Sequence, residues 1–148
     1  MVKASRGREI TRYVGKDVDA TKFRPRLDEA DIATMGPNAI GNYGEIVTKN
    51  FLRSHGVRAL SEYPYKDAMG RPHLADFYDV TTGIAFEVKT GVFKSSAIQD
   101  FKIEPLQYAI TSKQFGRVIF VNVKFLGRVG FAESIRRCLR RFGTITLC

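Results

Sequence analysis

The chain has 148 residues, with 44% hydrophobic and 26% charged, a globular balance and enough length for one domain with its own core. Its formal net charge of +9 points to a polyanionic partner. Charges recur too often for a membrane span, and the opening residues lack the apolar segment of a secretory signal. Cys138 and Cys148 have no metal-site spacing, so the expectation is a cytoplasmic or nucleoid-associated protein with free thiols, neither secreted nor membrane-bound.

Residues 1–34 are polar, basic and poorly periodic, with Arg6, Arg8 and Arg12 among the cations. They read as a loosely docked arm that lies along a phosphate backbone or serves a dimer contact, ahead of a single domain at 35–148. A turn cluster at 35–38 precedes a helix over 39–56, where Tyr43, Ile46, Val47, Phe51 and Leu52 recur at helical spacing and Gly56 supplies the stop. Glu45 lies in its first turn, after Gly41 and Gly44. These glycines suggest close approach of the backbone to a strand or a ligand.

Strands follow at 57–65, with Pro64 at an end or edge, then at 74–80 and 84–89. Residues 66–72 form a turn and 91–96 a loop. A helix occupies part of 99–113, with Pro105 in its first turn and Leu106, Ala109 and Ile110 as its buried stripe. Residues 117–123 (RVIFVNV) read as a strand buried on both faces, parallel to the third strand through a right-handed crossover. After a loop at 127–130, an amphipathic helix over 131–142 buries Ile135, Cys138, Leu139 and Phe142. It presents Arg136, Arg137, Arg140 and Arg141 as a phosphate-contacting face. A short strand at 144–147 closes the chain. The class is α/β, a mixed central sheet flanked by helices.

The segment DFYDVTTGIAFEVKTG, residues 76–91, carries the chemistry. Side chains alternate along a strand, so Glu87 and Lys89 share one face while Ile84, Phe86 and Val88 take the other. A two- or four-residue turn puts Tyr78 opposite Glu87 and Asp76 opposite Lys89, all on one face. A three-residue turn sends Asp76 to the apolar side. A site therefore requires an even turn, or a bulge near Asp76 that re-aims it. Two ionised carboxylates on a half-buried face repel, and a divalent cation such as Mg²⁺ or Mn²⁺ relieves that cost. A lysine beside them neutralises charge on a phosphate. Acid, acid and lysine on adjacent strands thus suit phosphodiester hydrolysis. Asp79 has the wrong parity for the site and reads as a turn residue, while His55 and His73 read as structural or solvated.

The run Gly41-Asn42-Tyr43-Gly44-Glu45, then Ala75-Asp76, then Glu87-Val88-Lys89, resembles the PD-(D/E)XK nuclease superfamily over roughly the middle 85 residues. Within it the chain is most similar to small archaeal Holliday junction resolvases and related viral or mobile-element nucleases. The resemblance implies a restriction-endonuclease-like αβββαβ core and Mg²⁺-dependent (or Mn²⁺-dependent) DNA cleavage in recombination or repair by a homodimer. It makes Asp76, Glu87 and the Val88 carbonyl metal ligands, Glu45 a further acid acting directly or through water, and Lys89 the active-site lysine. Gln107, or more weakly Lys102, matches a residue of the following helix that points to the site in some relatives, and Tyr78 is a possible nucleotide contact. The family's proline before the aspartate is Ala75 here. Branched DNA is the first expected substrate and site-specific duplex cleavage of a restriction or homing type the second. A non-catalytic nucleic-acid-binding domain is the rival from another class.

Overall fold

The computed structural model describes residues 7–91, 101–125 and 133–148. Arg6, the Arg8 side chain, most of the expected loop at 91–96, the helix start at 99, the loop at 127–130 and the first residues of the 131–142 helix lie outside these residues.

The apolar run Arg117–Val123 forms a strand buried on both faces, as its β-branched composition leads one to expect. In chain order the strands are β1 (Asp17–Val18), β2 (Leu60–Lys66), β3 (Pro72–Asp79), β4 (Ile84–Thr90), β5 (Arg117–Val123) and β6 (Thr144–Leu147). Across the sheet the order is β1-β6-β5-β4-β3-β2. β2, β3 and β4 pair antiparallel, and β4, β5, β6 and β1 run parallel. The helices are α1 (Gly7–Ile10), α2 (Glu29–Thr34), α3 (Pro37–Ser54), α4 (Ile103–Thr111) and α5 (Glu133–Cys138). This is an α/β fold with a mixed six-stranded sheet flanked by helices. Among the described residues no helix is long and apolar enough to cross a membrane.

Each face of the sheet carries its own core. α3 lays Tyr43, Val47, Phe51 and Leu52 against Phe77, Phe86, Ile119 and Val121. On the other face Leu106 and Ala109 of α4 and Ile135 of α5 meet Ala85, Val118 and Phe120. Along β4 and β5 the side chains alternate between the two cores, which is the period-two rule at work. Full burial of residues such as Val47, Phe51 and Leu52 stabilises by roughly 1.5–3 kcal/mol each.

α3 begins with Pro37 at its first position and ends before Gly56, whose φ of +75° suits a helix stop. Its Gly44 is required by packing. A Cβ there would collide with the side chain of Thr90 at the end of β4, so the helix backbone rests directly on that strand. The close approach suggested by the glycine pattern is therefore made to a strand. It sets the height of Glu45, the next residue, above the sheet.

Two expectations are corrected. The stretch read as a loose arm over 1–34 is, in its described part, built into the fold. Ile10, Ala20 and Phe23 are buried in the α3-side core, and β1 adds a parallel strand beside β6. Its strand is only two residues long and pairs with the far end of the chain, so no local periodicity announces it. The described part of the C-terminal helix is also shorter than its amphipathic pattern suggests. It spans Glu133–Cys138, and Arg140 and Arg141 fall in the turns that follow. Cys138 and Cys148 are free thiols.

A Gly→Ala change within a helix ordinarily stabilises by about 0.5–1 kcal/mol. Gly44→Ala should instead destabilise by about 1–3 kcal/mol, because the methyl group overpacks against Thr90. Urea unfolding of the two proteins measures the sign.

Candidate active site

β3 and β4 pair through Asp79↔Ile84, Tyr78↔Ala85 and Phe77↔Phe86, so residues 80–83 form a four-residue connection. Asp79 is buried and anchors it. Its carboxylate accepts from the Thr81 N–H at 3.2 Å and the Thr82 hydroxyl at 2.8 Å, and the Gly83 N–H donates to its carbonyl at 2.8 Å. The connection has the even length the site requires, but the register differs by two residues from the one expected. One step beyond Phe77↔Phe86, Asp76 comes level with Glu87 rather than Lys89. Tyr78 lies opposite Ala85, not Glu87, and stacks with Tyr63 and Phe115 at ring separations of 4.3 and 5.2 Å.

β3 also turns over at Asp76. Phe77 packs in the α3-side core, whereas Ala75 packs on the α4 side with Tyr65. Strict alternation would keep residues 75 and 77 on one face. β2 is distorted at the same level. Its pairing with β3 passes from Ser61↔Phe77 to Tyr63↔Ala75, and the intervening Glu62 has φ +52°, a left-handed conformation uncommon outside glycine. Such strain persists only where the surroundings enforce it and gathers at functional sites. Freed from strand pairing, the Asp76 carboxylate accepts the Val88 N–H at 2.7 Å. An extended residue sends its N–H and C=O to the same side, so the Val88 carbonyl also turns toward Asp76.

Glu87 is only 6% exposed, and its Oε1 has no hydrogen-bond partner among the described residues. Burial pushes its pKa up to about 8, with a further rise from the facing Asp76; Lys89, Lys102 and the Asp76 N–H oppose the shift. Asp76 is raised for the same first reason, burial, against the Val88 N–H, Lys89 and Lys102, and Glu62 adds to the rise. Glu45, expected in the first turn, is the ninth residue of α3 and lies in its third turn, because the helix starts at Pro37. Its pKa is raised by burial and then by the charges of Asp76 and Glu62. Asp76 thus lies at the centre of the acids at the point where β3 leaves β4, since its charge acts on both Glu45 and Glu87. The Lys89 ammonium lies over the Phe101 ring, 5.3 Å from its centre, which holds the side chain along the α4-side face.

Of the residues singled out in the sequence, Glu45, Asp76, Glu87, the Val88 backbone and Lys89 come together. Gln107 is half-buried on α4, and no hydrogen bond among the described residues brings its side chain to the acids. Lys102, the weaker choice, has the closer link, since its charge acts on both Asp76 and Glu87. His73 bonds Asp67 at 2.9 Å and His55 bonds the Tyr13 hydroxyl at 3.0 Å, both structural. Arg12 donates to the same Tyr13 hydroxyl at 2.8 Å. Arg137 pairs with Glu133 at 3.8 Å, and Arg141 lies over the Phe142 ring.

Three residues were missed. Glu62 acts at the site only because β2 is kinked there. The buried Tyr65 hydroxyl has no partner among the described residues, and burial followed by the charge of Glu87 raises its pKa. Asn122, fully buried with both amide atoms unpartnered among those residues, sits beside Lys89 on β5. Its signal was visible as the one polar residue after Arg117 in RVIFVNV.

Among the described residues no group of three His, Cys, Asp or Glu side chains forms a ready metal-ligand cluster. Two carboxylates and a carbonyl are a smaller donor set, of the kind Mg²⁺ accepts while keeping several waters. The Glu87 Oε1, without a partner among the described residues, and the raised pKa values of the facing acids fit a cation there, because the lysines and backbone N–H groups offset only part of the cost of burying two carboxylates. Comparison with protein-family models, curated proteins and solved structures finds no match for the chain.

The pKa of Glu87 has a consequence for stability. Its folded value of about 8 exceeds the ordinary 4.5, so the folded state binds the proton more tightly. That stabilisation is complete below about pH 4.5 and is lost as the pH rises through about 8. In EDTA, the unfolding free energy should fall over this window by an amount on the order of 5 kcal/mol. Glu87→Gln should flatten most of the fall. Urea denaturation across the window tests it, and an equal slope in the variant would contradict the assignment.

Proposed function

We propose that the chain is a divalent-cation-dependent DNA endonuclease of the PD-(D/E)XK type that hydrolyses phosphodiester bonds in branched DNA. The observation that carries this reading is the buried Glu87 oxygen facing Asp76, without a partner among the described residues, with Lys89 two residues along the same strand face. The order α3-β2-β3-β4-α4-β5 also agrees with the αβββαβ core that the motif implies. The net charge of +9 suits a polyanionic substrate.

Asp76, Glu87 and the Val88 carbonyl would hold Mg²⁺ or Mn²⁺, with Glu45 contributing through water. Bound there, the ion would acidify a water molecule and polarise a phosphoryl oxygen. The chain's own groups do the rest. The Val88 N–H fixes one oxygen of Asp76 and so limits the orientations open to the carboxylate. Lys89 offsets charge that grows on the phosphate as the P–O bond to the incoming oxygen forms. Phe101 beneath it limits the positions its ammonium can take. Lys102 adds a second positive charge on the same side. Substrate would be recognised through phosphates and DNA shape, and two strands would be cut by a homodimer.

The test is a Mg²⁺-dependent cleavage assay with a four-way junction and a linear duplex of matched sequence. Wild type should cut the junction in preference. Asp76→Asn and Glu87→Gln should each lower the rate at least ~100-fold, and Lys89→Met by a similar factor, while all three still bind the junction. Full activity in both carboxylate variants would remove these residues from the mechanism.

A further inference from the structure

A groove of about 480 Å³ opens between the C-terminal half of α3 and the start of β2. Leu52, Val57 and Phe77 contribute to its floor, and Lys49, Arg53 and Arg58 stand around it. Its lining holds no carboxylate. All three cations are exposed, and none is in an ion pair among the described residues. Lys49 and Arg53 follow Glu45 at intervals of four residues, so the three share one stripe of α3. The stripe therefore passes from the acid cluster to the groove. Eight helical residues span about 12 Å, or three to four nucleotides of rise along one DNA strand.

We propose that this groove is the phosphate-binding track for the DNA strand, seating backbone phosphates three to four nucleotides from the cleaved bond. The proposal rests on the endonuclease reading for the position of that bond. It moves the main DNA contact away from the C-terminal arginines. Those lie toward the opposite face of the sheet, where α5 packs, and Arg137 already has a carboxylate partner. The groove instead combines exposed cations, in no ion pair among the described residues, with an apolar floor that suits deoxyribose. It also leads straight to the acids, where repulsion between carboxylate and phosphate would otherwise hold DNA off.

Binding of a labelled four-way junction is measured by fluorescence anisotropy without divalent cation, over a range of salt concentrations. The proteins are wild type, Arg53→Ala, Arg58→Ala, the double variant, and Lys113→Asn as a control in the turn just beyond α4. Each groove substitution should weaken binding several-fold and reduce the slope of log K against log salt by about one. Arg53→Lys should keep the slope, and Lys113→Asn should change neither quantity. All substituted side chains are exposed, and matching melting temperatures exclude unfolding as the cause. A double variant with wild-type affinity and slope overturns the proposal. Cleavage by wild type with no effect of the groove variants defeats the groove alone. Groove-dependent binding without any cleavage supports the groove and defeats the endonuclease reading.

Discussion

Two carboxylates meet where β3 separates from β4, and most of the structure around them serves to make that meeting tolerable. Neither Asp76 nor Glu87 can reach bulk water easily, and each raises the pKa of the other or is raised by burial. One Val88 N–H and two lysines offset part of the cost. The remainder is visible as a glutamate that retains its proton up to about pH 8 and an oxygen with no donor among the described residues. A protein without use for this arrangement would do better with apolar side chains at both positions. The strained Glu62 backbone at the same level adds to the cost instead of relieving it.

The fold holds the pair from three directions. α3 lies on Thr90 through Gly44 and so brings Glu45 to the cluster from one face. β5, buried from Val118 to Val123, fixes β4 from the side by an unbroken parallel ladder from Ile84 to Thr90. Phe101, with α4 just after it, closes the other face and positions Lys89. β3 is the member that yields, since its pairing with β4 stops at Phe77. The break therefore falls where function would want a carboxylate released from the sheet.

What could be read from the sequence was whatever is local. Period-two alternation placed Glu87 and Lys89 on one face, and helical spacing found α3. The β-branched run located β5 to the residue. Strand parity showed that Asp76 needs an even turn or a re-aiming distortion, and the structure has both. It could not choose between registers two residues apart, because both obey the same parity. Glu62 was invisible because its role depends on a left-handed backbone in β2 and on pairing with β3. The N-terminal segment misled for a related reason. Its β1 strand is stabilised by β6 from the other end of the chain, so its own composition looks like that of a free arm.

The central claim is that Asp76 and Glu87 form a cation site, and the most direct test is a crystal of the protein soaked in Mn²⁺ near pH 8. An anomalous-scattering peak between the Asp76 carboxylate, Glu87 Oε1 and the Val88 carbonyl, lost in Glu87→Gln, is the result this account predicts. A wild-type crystal at saturating Mn²⁺ with no peak there, and with the two carboxyl groups sharing a proton instead, would contradict it.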